Sequence, residues 1–260
     1  MPRVLAVANQ KGGVGKTTTS VNLAASLSAA GRRVLLIDLD PQGNATMGSG
    51  VEKNNLERTV YHVLLNEATL TDVRQRVTRA NYDLIPANRD LAGAEVELVD
   101  FEHREKILKN ALAEFSEEYD FVLIDCPPAL NLLTINGLCA AHAVVIPMQC
   151  EYYALEGLSD LVGTIRRVRT QLNPKLEIEG LLRTMFDPRN ALSQQVSLQL
   201  QQHFKDKVYE TIIPRNVRLA EAPSYGVAAL YHDKNSKGAQ AYLALADEVL
   251  RRAGATPVAA

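Results

Sequence analysis

The sequence has no tryptophan and only three cysteines, Cys126, Cys139 and Cys150. These cysteines are far apart and form no C-x-x-C pair, so the sequence predicts neither a disulfide framework nor a zinc or iron–sulfur site. We expect all three to be buried apolar thiols, which is the usual state of free cysteine.

Long apolar segments are absent as well. No apolar run approaches the roughly 18 residues that a membrane-spanning helix needs. The N-terminus has no basic segment followed by an apolar segment and a small-residue cleavage site, so no signal peptide is predicted. These absences favour a cytoplasmic protein.

The chain also lacks low-complexity linkers, internal repeats and charge blocks that would separate domains. We therefore expect one domain over residues 1–253, followed by a disordered tail at residues 254–260. Segment 43–55 is rich in glycine and asparagine and is expected to be the most mobile internal loop.

The net charge is only −2, but charge is distributed unevenly along the chain. Residues 1–158 carry a net charge of −6 and residues 159–260 one of +4, which together give the −2 of the chain. Such asymmetry can mark a surface for a polyanion, and it equally fits solvated basic side chains on helices. Charge alone leaves both interpretations open.

Short β-branched segments alternate with amphipathic segments of helical length. This pattern predicts an α/β fold with a doubly wound, mostly parallel β-sheet flanked by helices on both faces. Several strands are apolar throughout, as expected when both faces are covered. The predicted strands are 4–8, 34–38, 82–86, 121–125, 143–147, 178–184 and 208–213, and the predicted helices are 17–30, 104–118, 132–140, 155–172, 193–204 and 238–253.

A glycine-rich segment lies between the first predicted strand and the first predicted helix. Residues 11–17 read KGGVGKT. Glycines there let backbone N–H groups form an anion-binding nest, and the N-terminus of the following helix adds partial positive charge. Lys16 would then bond the β- and γ-phosphates, and Thr17 would ligate Mg²⁺. A plain strand-to-helix turn explains the glycines but not this Lys-Thr pair, so ATP and Mg²⁺ are the expected ligands.

Three acidic residues end predicted strands beside this loop. Residues 34–40 read VLLIDLD and end with Asp38 and Asp40, and residues 121–125 read FVLID and end with Asp125. Each alone is explained as a helix cap or loop carboxylate. Ligands of open α/β sheets bind beyond the carboxyl ends of the strands, so beside a phosphate loop all three belong to the predicted site. Asp125 has the form of a Walker B aspartate, which holds Mg²⁺.

The loop departs from the common pattern G-x-x-x-x-G-K-[ST]. Gln10 stands where the first glycine is expected, and Lys11 adds a second lysine. The segment thereby resembles the deviant Walker A motif of the ParA/MinD family of ATPases. The resemblance implies an ATP-dependent homodimer in which Lys11 reaches the nucleotide of the partner subunit. It also implies that Asp40 orients the attacking water and that Asp38 supports the magnesium.

The resemblance covers nearly the whole chain and is specific to chromosomal ParA (Soj) proteins in segments 184–187 (TMFD) and 213–224 (IPRNVRLAEAPS). It implies a weak ATPase that a ParB-type centromere-binding protein stimulates and that segregates chromosome origins. Because the match begins at residue 3, we expect no N-terminal operator-binding extension. The implied nucleotide contacts are Lys11, Gly12, Gly13, Val14, Gly15, Lys16, Thr17, Thr18, Met185, Pro214 and Asn216.

Resemblance to the ParA (Soj) proteins also implies that the ATP-bound dimer binds double-stranded DNA non-specifically on the nucleoid. Such binding needs Lys and Arg on a shared face and no base-reading element. Arg189 and Arg218 are the first candidates, whereas Lys205 and Lys207 are almost equally explained as solvated surface charges. The further candidates are Arg215, Lys234 and Lys237.

Other classes of protein share this kind of loop. A MinD-type membrane-associated cell-division ATPase would need a basic amphipathic C-terminal helix with bulky apolar residues, whereas residues 245–254 read LADEVLRRAG. We therefore expect no membrane partner. A ligase similar to dethiobiotin synthetase would need a substrate motif, and a nitrogenase iron protein would need cluster-bridging cysteines. A related tyrosine kinase would carry a terminal tyrosine cluster. The sequence has none of these features.

Overall fold

The structure of the chain, a computed structural model, describes residues 2–115 and 118–254. Eight strands within these residues form one sheet in the order β3-β4-β2-β5-β1-β6-β7-β8, with helices on both faces. Every neighbouring pair is parallel except β3 and β4. The predicted α/β fold with a doubly wound, mostly parallel sheet is confirmed.

All seven predicted strands are present to within two residues at either end. The eighth, β3, is a three-residue edge strand that is too short to show a pattern of its own. The strands are β1 Arg3–Val7, β2 Val34–Asp38, β3 Gln75–Val77, β4 Tyr82–Ile85, β5 Phe121–Asp125, β6 Ala143–Gln149, β7 Glu177–Phe186 and β8 Val208–Pro214.

The six predicted helices are also present. Helix α6 begins at residue 107, later than expected, and residues 116–117 of that prediction lie outside the described residues, as do residues 255–260 of the predicted tail. No helix in the described ranges is long and apolar enough to span a membrane. The helices are α1 Lys16–Ala29, α2 Asn44–Gly48, α3 Val60–Leu64, α4 Leu70–Val73, α5 Leu91–Glu97, α6 Ile107–Phe115, α7 Leu132–Ala140, α8 Ala154–Gln171, α9 Ala191–Phe204, α10 Val217–Glu221, α11 Ala229–His232 and α12 Lys237–Arg252.

The prediction of a loop over residues 43–55 is wrong for much of that segment. Helix α2 and a short 3-10 helix, Lys53–Asn55, occupy it. The helix forms because Thr46 bonds the buried carboxylate of Asp38 through both its backbone N–H and its hydroxyl. The glycine and asparagine content of this segment predicts turns. The contact between Thr46 in α2 and Asp38 in β2 stabilises a helix instead.

The sheet carries an apolar core on each face because its central strands are apolar on both sides. In β5, Val122 and Ile124 face one core, and Phe121 and Leu123 face the other. Helices α3 to α9 cover the first core, and α1, α2, α10, α11 and α12 cover the second. The three cysteines are buried free thiols, as predicted.

Seven parallel strands direct their carboxyl ends to one edge of the sheet. The glycine-rich loop follows β1, Asp38 ends β2 and Asp125 ends β5. The segments after β7 and β8 begin at the same edge. The predicted nucleotide-site residues are therefore brought to a common edge, as sheets of this kind require.

Candidate active site

Residues 9–15 turn sharply between β1 and α1. Gly13 and Gly15 have φ angles of +72° and +87°, in the left-handed region that glycine adopts at little cost. The N-cap residue of α1 is Gly15, which has no side chain to cap the helix, and the first turn of α1 has no acidic residue. The unpaired N–H groups and partial positive charge of the helix N-terminus therefore face the loop, which suits an anion.

Two polar side chains hold this loop against the neighbouring strands. Asn9 Nδ2 donates to the carbonyl of Pro147 at 2.8 Å, and Asn9 Oδ1 accepts from the N–H of Lys11 at 3.0 Å. Thr184 Oγ1 donates to the carbonyl of Val14 at 2.8 Å. Strands β6 and β7 thus fix the loop that β1 carries. Sequence reasoning missed both roles, although a buried asparagine directly after a strand was a signal.

The two lysines of the loop occupy different environments. Lys16 is 7% exposed, and its Nζ donates to the carbonyl of Lys11 at 3.1 Å. Burial lowers the pKa of Lys16, while the charges of Asp125 and Asp40 act in the opposite sense. An ammonium group has three donors, so Lys16 retains donors for an anionic ligand.

Lys11 lies at the surface of the loop. Its Nζ is paired with Glu151 Oε2 at 2.6 Å, and the two side chains are 42% and 51% exposed. Exposed pairs of this kind contribute little to stability, about 0–1 kcal/mol, so they exchange partners readily. The Lys11 ammonium therefore lies at the solvent-exposed surface of the loop.

Asp125 joins the sheet to the first turn of α1. Its Oδ2 accepts from Thr17 Oγ1 and its Oδ1 from Ser20 Oγ, both at 2.8 Å. Burial, and next the charge of Asp38, raise the pKa of Asp125. Sequence reasoning missed Ser20, although Thr17 and Ser20 are three residues apart and so share a helix face.

Asp38 is fully buried and its carboxylate is held from several sides. Its Oδ1 accepts from the N–H of Asp40 at 3.1 Å, and its Oδ2 accepts from the N–H and the hydroxyl of Thr46, both at 2.8 Å. The same hydroxyl accepts from the N–H of Ala87 at 2.9 Å. Burial raises the pKa of Asp38. Thr46, which sequence reasoning missed, therefore positions this carboxylate.

Asp40 stands beyond the end of β2, so strand alternation does not decide where its side chain points. A turn that returns at Gly43 places it, and its Oδ1 accepts from the N–H of Gln42 at 2.9 Å. The charge of Asp40 nevertheless acts on both Lys16 and Asp125. Asp40 thus lies in the same electrostatic field as the loop.

The three carboxylates concentrate negative charge beside the phosphate loop. Two of them, Asp38 and Asp125, are fully buried and have raised pKa values. A divalent cation neutralises such a cluster, and carboxylate and hydroxyl oxygens are ligands that Mg²⁺ prefers. Within the described residues, no three acidic, histidine or cysteine side chains stand close enough to form a metal site by themselves. Oxygens of the kind that Mg²⁺ prefers are nevertheless adjacent in the hydrogen-bonded pair of Thr17 and Asp125, with Asp38 next to Asp125 in the sheet.

The residues predicted to contact the base lie at the carboxyl ends of β7 and β8 and directly after β8. Met185 has a φ of +48°, and its sulfur accepts from Gln149 Nε2 at 3.0 Å. Phe186 pairs with Pro214 across the two strands, and Asn216 precedes α10. Thr184, the residue before Met185, connects this group to the phosphate loop, because its hydroxyl donates to the carbonyl of Val14. Thr18, the remaining predicted contact, lies half-buried in the first turn of α1.

Five basic candidates surround the carboxyl ends of β7 and β8, and all five are exposed. Arg189 pairs with Asp187 at 2.8 Å, and its hydrogen bonds, with a smaller contribution from Arg215, lower the pKa of Asp187 to about 2. Arg218 pairs with Glu221 at 2.8 Å and with Asp233 at 3.3 Å. The two lysine candidates, Lys234 and Lys237, follow Asp233 in the chain.

Lys205 and Lys207 lie elsewhere. They form a short 3-10 helix directly before β8. Because that helix precedes the strand and α10 follows it, the two lysines lie at the opposite edge of the sheet from Arg218. The structure separates them from the other basic candidates.

Replacing Ser20 by Ala tests the arrangement around Asp125. We expect magnesium-dependent ATP binding to weaken by about tenfold, because residues that orient a metal ligand commonly contribute that much. Titrations with Mg²⁺ and with EDTA measure the effect, which should vanish in EDTA. Ser26→Ala is the matched control, since Ser26 Oγ on the same helix is buried and has no partner among the described residues. Equal losses in both variants would contradict the role of Ser20.

The family model for an AAA domain matches residues 2–178. The chain is 55% identical to the sporulation initiation inhibitor protein Soj of Bacillus subtilis, over 96% of this chain and 98% of that one. It is 52% identical to the chromosome partitioning protein ParA of Caulobacter vibrioides, over 96% and 94%. The chain belongs to the ParA/Soj family. This confirms the predicted family of chromosome-partitioning ATPases.

Solved structures of other proteins have folds similar to that of this ParA/Soj chain. Cobyrinic acid a,c-diamide synthase of Mycobacterium smegmatis with bound ADP and magnesium has a TM-score of 0.87 and 42% identity, over 98% of this chain and 96% of that one. The septum site-determining protein MinD of Pyrococcus horikoshii with Mg-ADP has a TM-score of 0.77 and 26% identity, over 98% of each chain. Its ParA/Soj relatives match the chain at higher identity than either structure.

Proposed function

We propose that this ATPase uses ATP to join two copies of the chain into a sandwich homodimer that binds double-stranded DNA non-specifically. With a ParB-type centromere-binding protein, the dimer segregates chromosome origins. One observation carries the proposal: the phosphate loop presents one buried lysine, Lys16, toward its own carboxylates and one exposed lysine, Lys11, at its surface. The eight strands found in residues 2–115 and 118–254 belong to one sheet, which supports a single domain over residues 1–253.

Each part of the site has a proposed role in hydrolysis. Residues 11–18 hold the phosphates, with Lys16 donating to their oxygens. Thr17, Asp38 and Asp125 hold Mg²⁺, which neutralises charge on the phosphates when bound. Asp40 orients the attacking water, because phosphoryl transfer depends mainly on positioning and charge stabilisation. The residues that receive the adenine are Met185, Pro214 and Asn216.

The dimer forms across the exposed face of the phosphate loop. Lys11 exchanges its partner Glu151 for the phosphates of the nucleotide in the second subunit. Tyr152 and Tyr153, which follow Glu151, are 74% and 69% exposed. Large exposed aromatic side chains are typical of surfaces that become buried on association.

The five basic residues around the carboxyl ends of β7 and β8 form the proposed DNA surface. Two of their guanidinium groups are paired at the surface with Asp187, Glu221 and Asp233. Exposed pairs of this kind contribute little to stability, so the arginines exchange these carboxylates for DNA phosphates. Dimerisation doubles the number of phosphate contacts, and affinity rises steeply with that number through counterion release. ATP thus controls attachment to the nucleoid, and ParB-stimulated hydrolysis ends it.

A MinD-type membrane-associated ATPase is the alternative, and similarity to a MinD structure favours considering it. Such a protein needs a helix with a free apolar face. The apolar face of α12 is buried, with Tyr242, Leu245 and Val249 at 1% exposure or less. We therefore expect no ATP-dependent flotation with anionic vesicles at physiological salt, and robust flotation would favour the alternative.

Charge reversal at the DNA surface tests the proposal. We expect Arg189→Glu with Arg218→Glu to weaken binding to a non-specific duplex by about 30-fold or more in ATP, because several phosphate contacts are lost per dimer. Binding is measured by gel shift and anisotropy with ATP, with ADP and without nucleotide. Sedimentation should show that ATP-dependent dimerisation is intact.

The matched control reverses the same number of charges at the opposite edge, in Lys205→Glu with Lys207→Glu. This variant should bind DNA nearly as well as the native chain. An equal loss in both double variants would show that overall charge rather than a defined surface binds DNA. Undiminished binding by the arginine variant would move the DNA surface elsewhere.

A further inference from the structure

Two glycine turns, one after α2 and one after α10, meet backbone to backbone. Gly50 and Gly226 have φ angles of +82° and +62°. A Cβ at Gly50 would lie 2.7 Å from the carbonyl oxygen of Gly226, and a Cβ at Gly226 would lie 2.7 Å from the Cα of Gly50. Real Cβ atoms do not approach so closely, so neither position has room for a side chain.

Helix α2 links this contact to the catalytic carboxylates. Thr46, in the middle of the helix, is fully buried and bonds Asp38 twice. Ser49, at its end, bonds Tyr82 through hydroxyl groups 2.6 Å apart. Gly50 follows directly. The five-residue helix is therefore bonded to Asp38 at its middle, and the residues at its C-terminal end contact Tyr82 and Gly226.

Gly226 in turn belongs to the segment that carries the proposed DNA surface. It ends the 3-10 helix Ala222–Tyr225, and its N–H donates to the carbonyl of Pro223 at 3.0 Å. That 3-10 helix continues α10 without a break, and α10 carries Arg218. A chain of direct contacts therefore runs from Asp38 through α2 and the two glycines to α10.

We propose that α2 and the Gly50–Gly226 contact form a relay through which the nucleotide state at Asp38–Asp40 sets the DNA affinity of α10. This inference rests on the proposed function. A contact made only of backbone atoms cannot absorb a displacement by a change of rotamer, and packed elements pass on shifts because they deform little. Movement of the Asp38–Asp40 segment is therefore transmitted to α10.

The relay also explains how ATP and ADP can be told apart at α10. Asn216, which caps α10, is proposed to contact the adenine, but adenine is common to both nucleotides. The γ-phosphate, which ATP has and ADP lacks, is proposed to lie at the other end of the site, near Lys16 and the carboxylates. By thermodynamic reciprocity, DNA should raise the affinity for ATP by the same factor by which ATP raises the affinity for DNA.

Gly50→Ala and Gly226→Ala test the relay. Gly254→Ala is the matched control, because Gly254 also has a left-handed φ, +67°, and a Cβ there would meet nothing within 4 Å. The dissociation constant for a non-specific duplex is measured with ATP and with ADP, alongside dimerisation by sedimentation. For the native chain and the control, we expect the dissociation constant with ADP to exceed the one with ATP by about tenfold or more, which is the usual scale of such coupling. This ADP-to-ATP ratio is then compared among the variants. Both test variants should still dimerise with ATP, while their ratio falls several-fold below the native ratio, to the part that dimerisation alone supplies.

The outcomes separate the relay from the function on which it rests. A ratio retained in both test variants overturns the relay and leaves the proposed function intact. A native ratio of one overturns the proposed function itself. Native hydrogen exchange decides the question if the variants fail to fold: ATP should protect the amides of residues 44–50 and 217–226 together. Protection of residues 44–50 with no change at 217–226 would overturn the relay.

Discussion

Lys16→Ala is expected to weaken ATP binding by at least about 100-fold, which corresponds to about 2.7 kcal/mol. The Lys16 ammonium is buried in the phosphate loop and lies in the field of Asp40 and Asp125. Its removal takes away charge-assisted bonds to the phosphates and leaves the carboxylates to repel them. Equilibrium titration with a fluorescent ATP analogue measures the loss, and circular dichroism checks that the variant is folded.

Two lysine variants serve as controls for this result. Lys205→Ala removes an exposed lysine at the opposite edge of the sheet and should leave ATP affinity unchanged. Lys11→Ala should keep most of the affinity of the isolated subunit and lose ATP-dependent dimerisation, because Lys11 faces outward. Unchanged ATP affinity in Lys16→Ala would remove the phosphate loop from the proposed site. Equal losses in all three variants would mean that net charge governs binding.

The sheet could be predicted from the sequence because its strands are apolar and because the long helices α8 and α12 have a clear apolar stripe. Strands β2 and β5 even end at the predicted residues, Asp38 and Asp125. The short helices could not be predicted. Helix α2 has five residues, too few to show a repeating helical pattern of apolar residues. It depends on the bond from Thr46 to the carboxylate of Asp38, eight residues away.

The residues of the candidate site likewise fall into those that the sequence predicts and those that only the fold reveals. A motif predicts Lys16 and Thr17 because their spacing in the chain is itself the signal. The bond from Ser20 to Asp125 spans 105 residues and becomes visible only when β5 lies beside α1. Charge counts likewise group Lys207 with Arg215. The direction of β8 assigns them to opposite edges of the sheet, because one residue precedes the strand and the other follows it.

Asp40→Ala is expected to lower the turnover of ATP by about 10²–10³-fold, the usual contribution of a residue that positions or activates the nucleophile. ATP affinity should change only a few-fold, because Asp40 Oδ1 is engaged with the N–H of Gln42 and no group among the described residues donates to its other oxygen. That oxygen is available to a water molecule. Single-turnover hydrolysis and nucleotide titration, performed separately, measure the two effects.

Asp38→Ala gives a different result, which distinguishes the two carboxylates. Asp38 is fully buried and accepts three hydrogen bonds, so its removal leaves the N–H and hydroxyl donors of Thr46 without an acceptor and should lower the free energy of unfolding by about 2–4 kcal/mol. Asp40→Ala should leave stability nearly unchanged, as should the exposed control Asp206→Ala. Retained turnover in Asp40→Ala would assign water positioning to another group.

Blocked hydrolysis in Asp40→Ala has a consequence beyond the chemical step. Because ATP still binds, the variant should accumulate as the ATP-bound dimer and remain on DNA, whereas the native chain dissociates as its ATP is consumed. Dissociation from an immobilised duplex, followed after free ATP is removed, measures this difference. If Asp40→Ala leaves DNA as fast as the native chain, hydrolysis does not control release. In that case nucleotide exchange, rather than Asp40, would set the lifetime of the DNA complex.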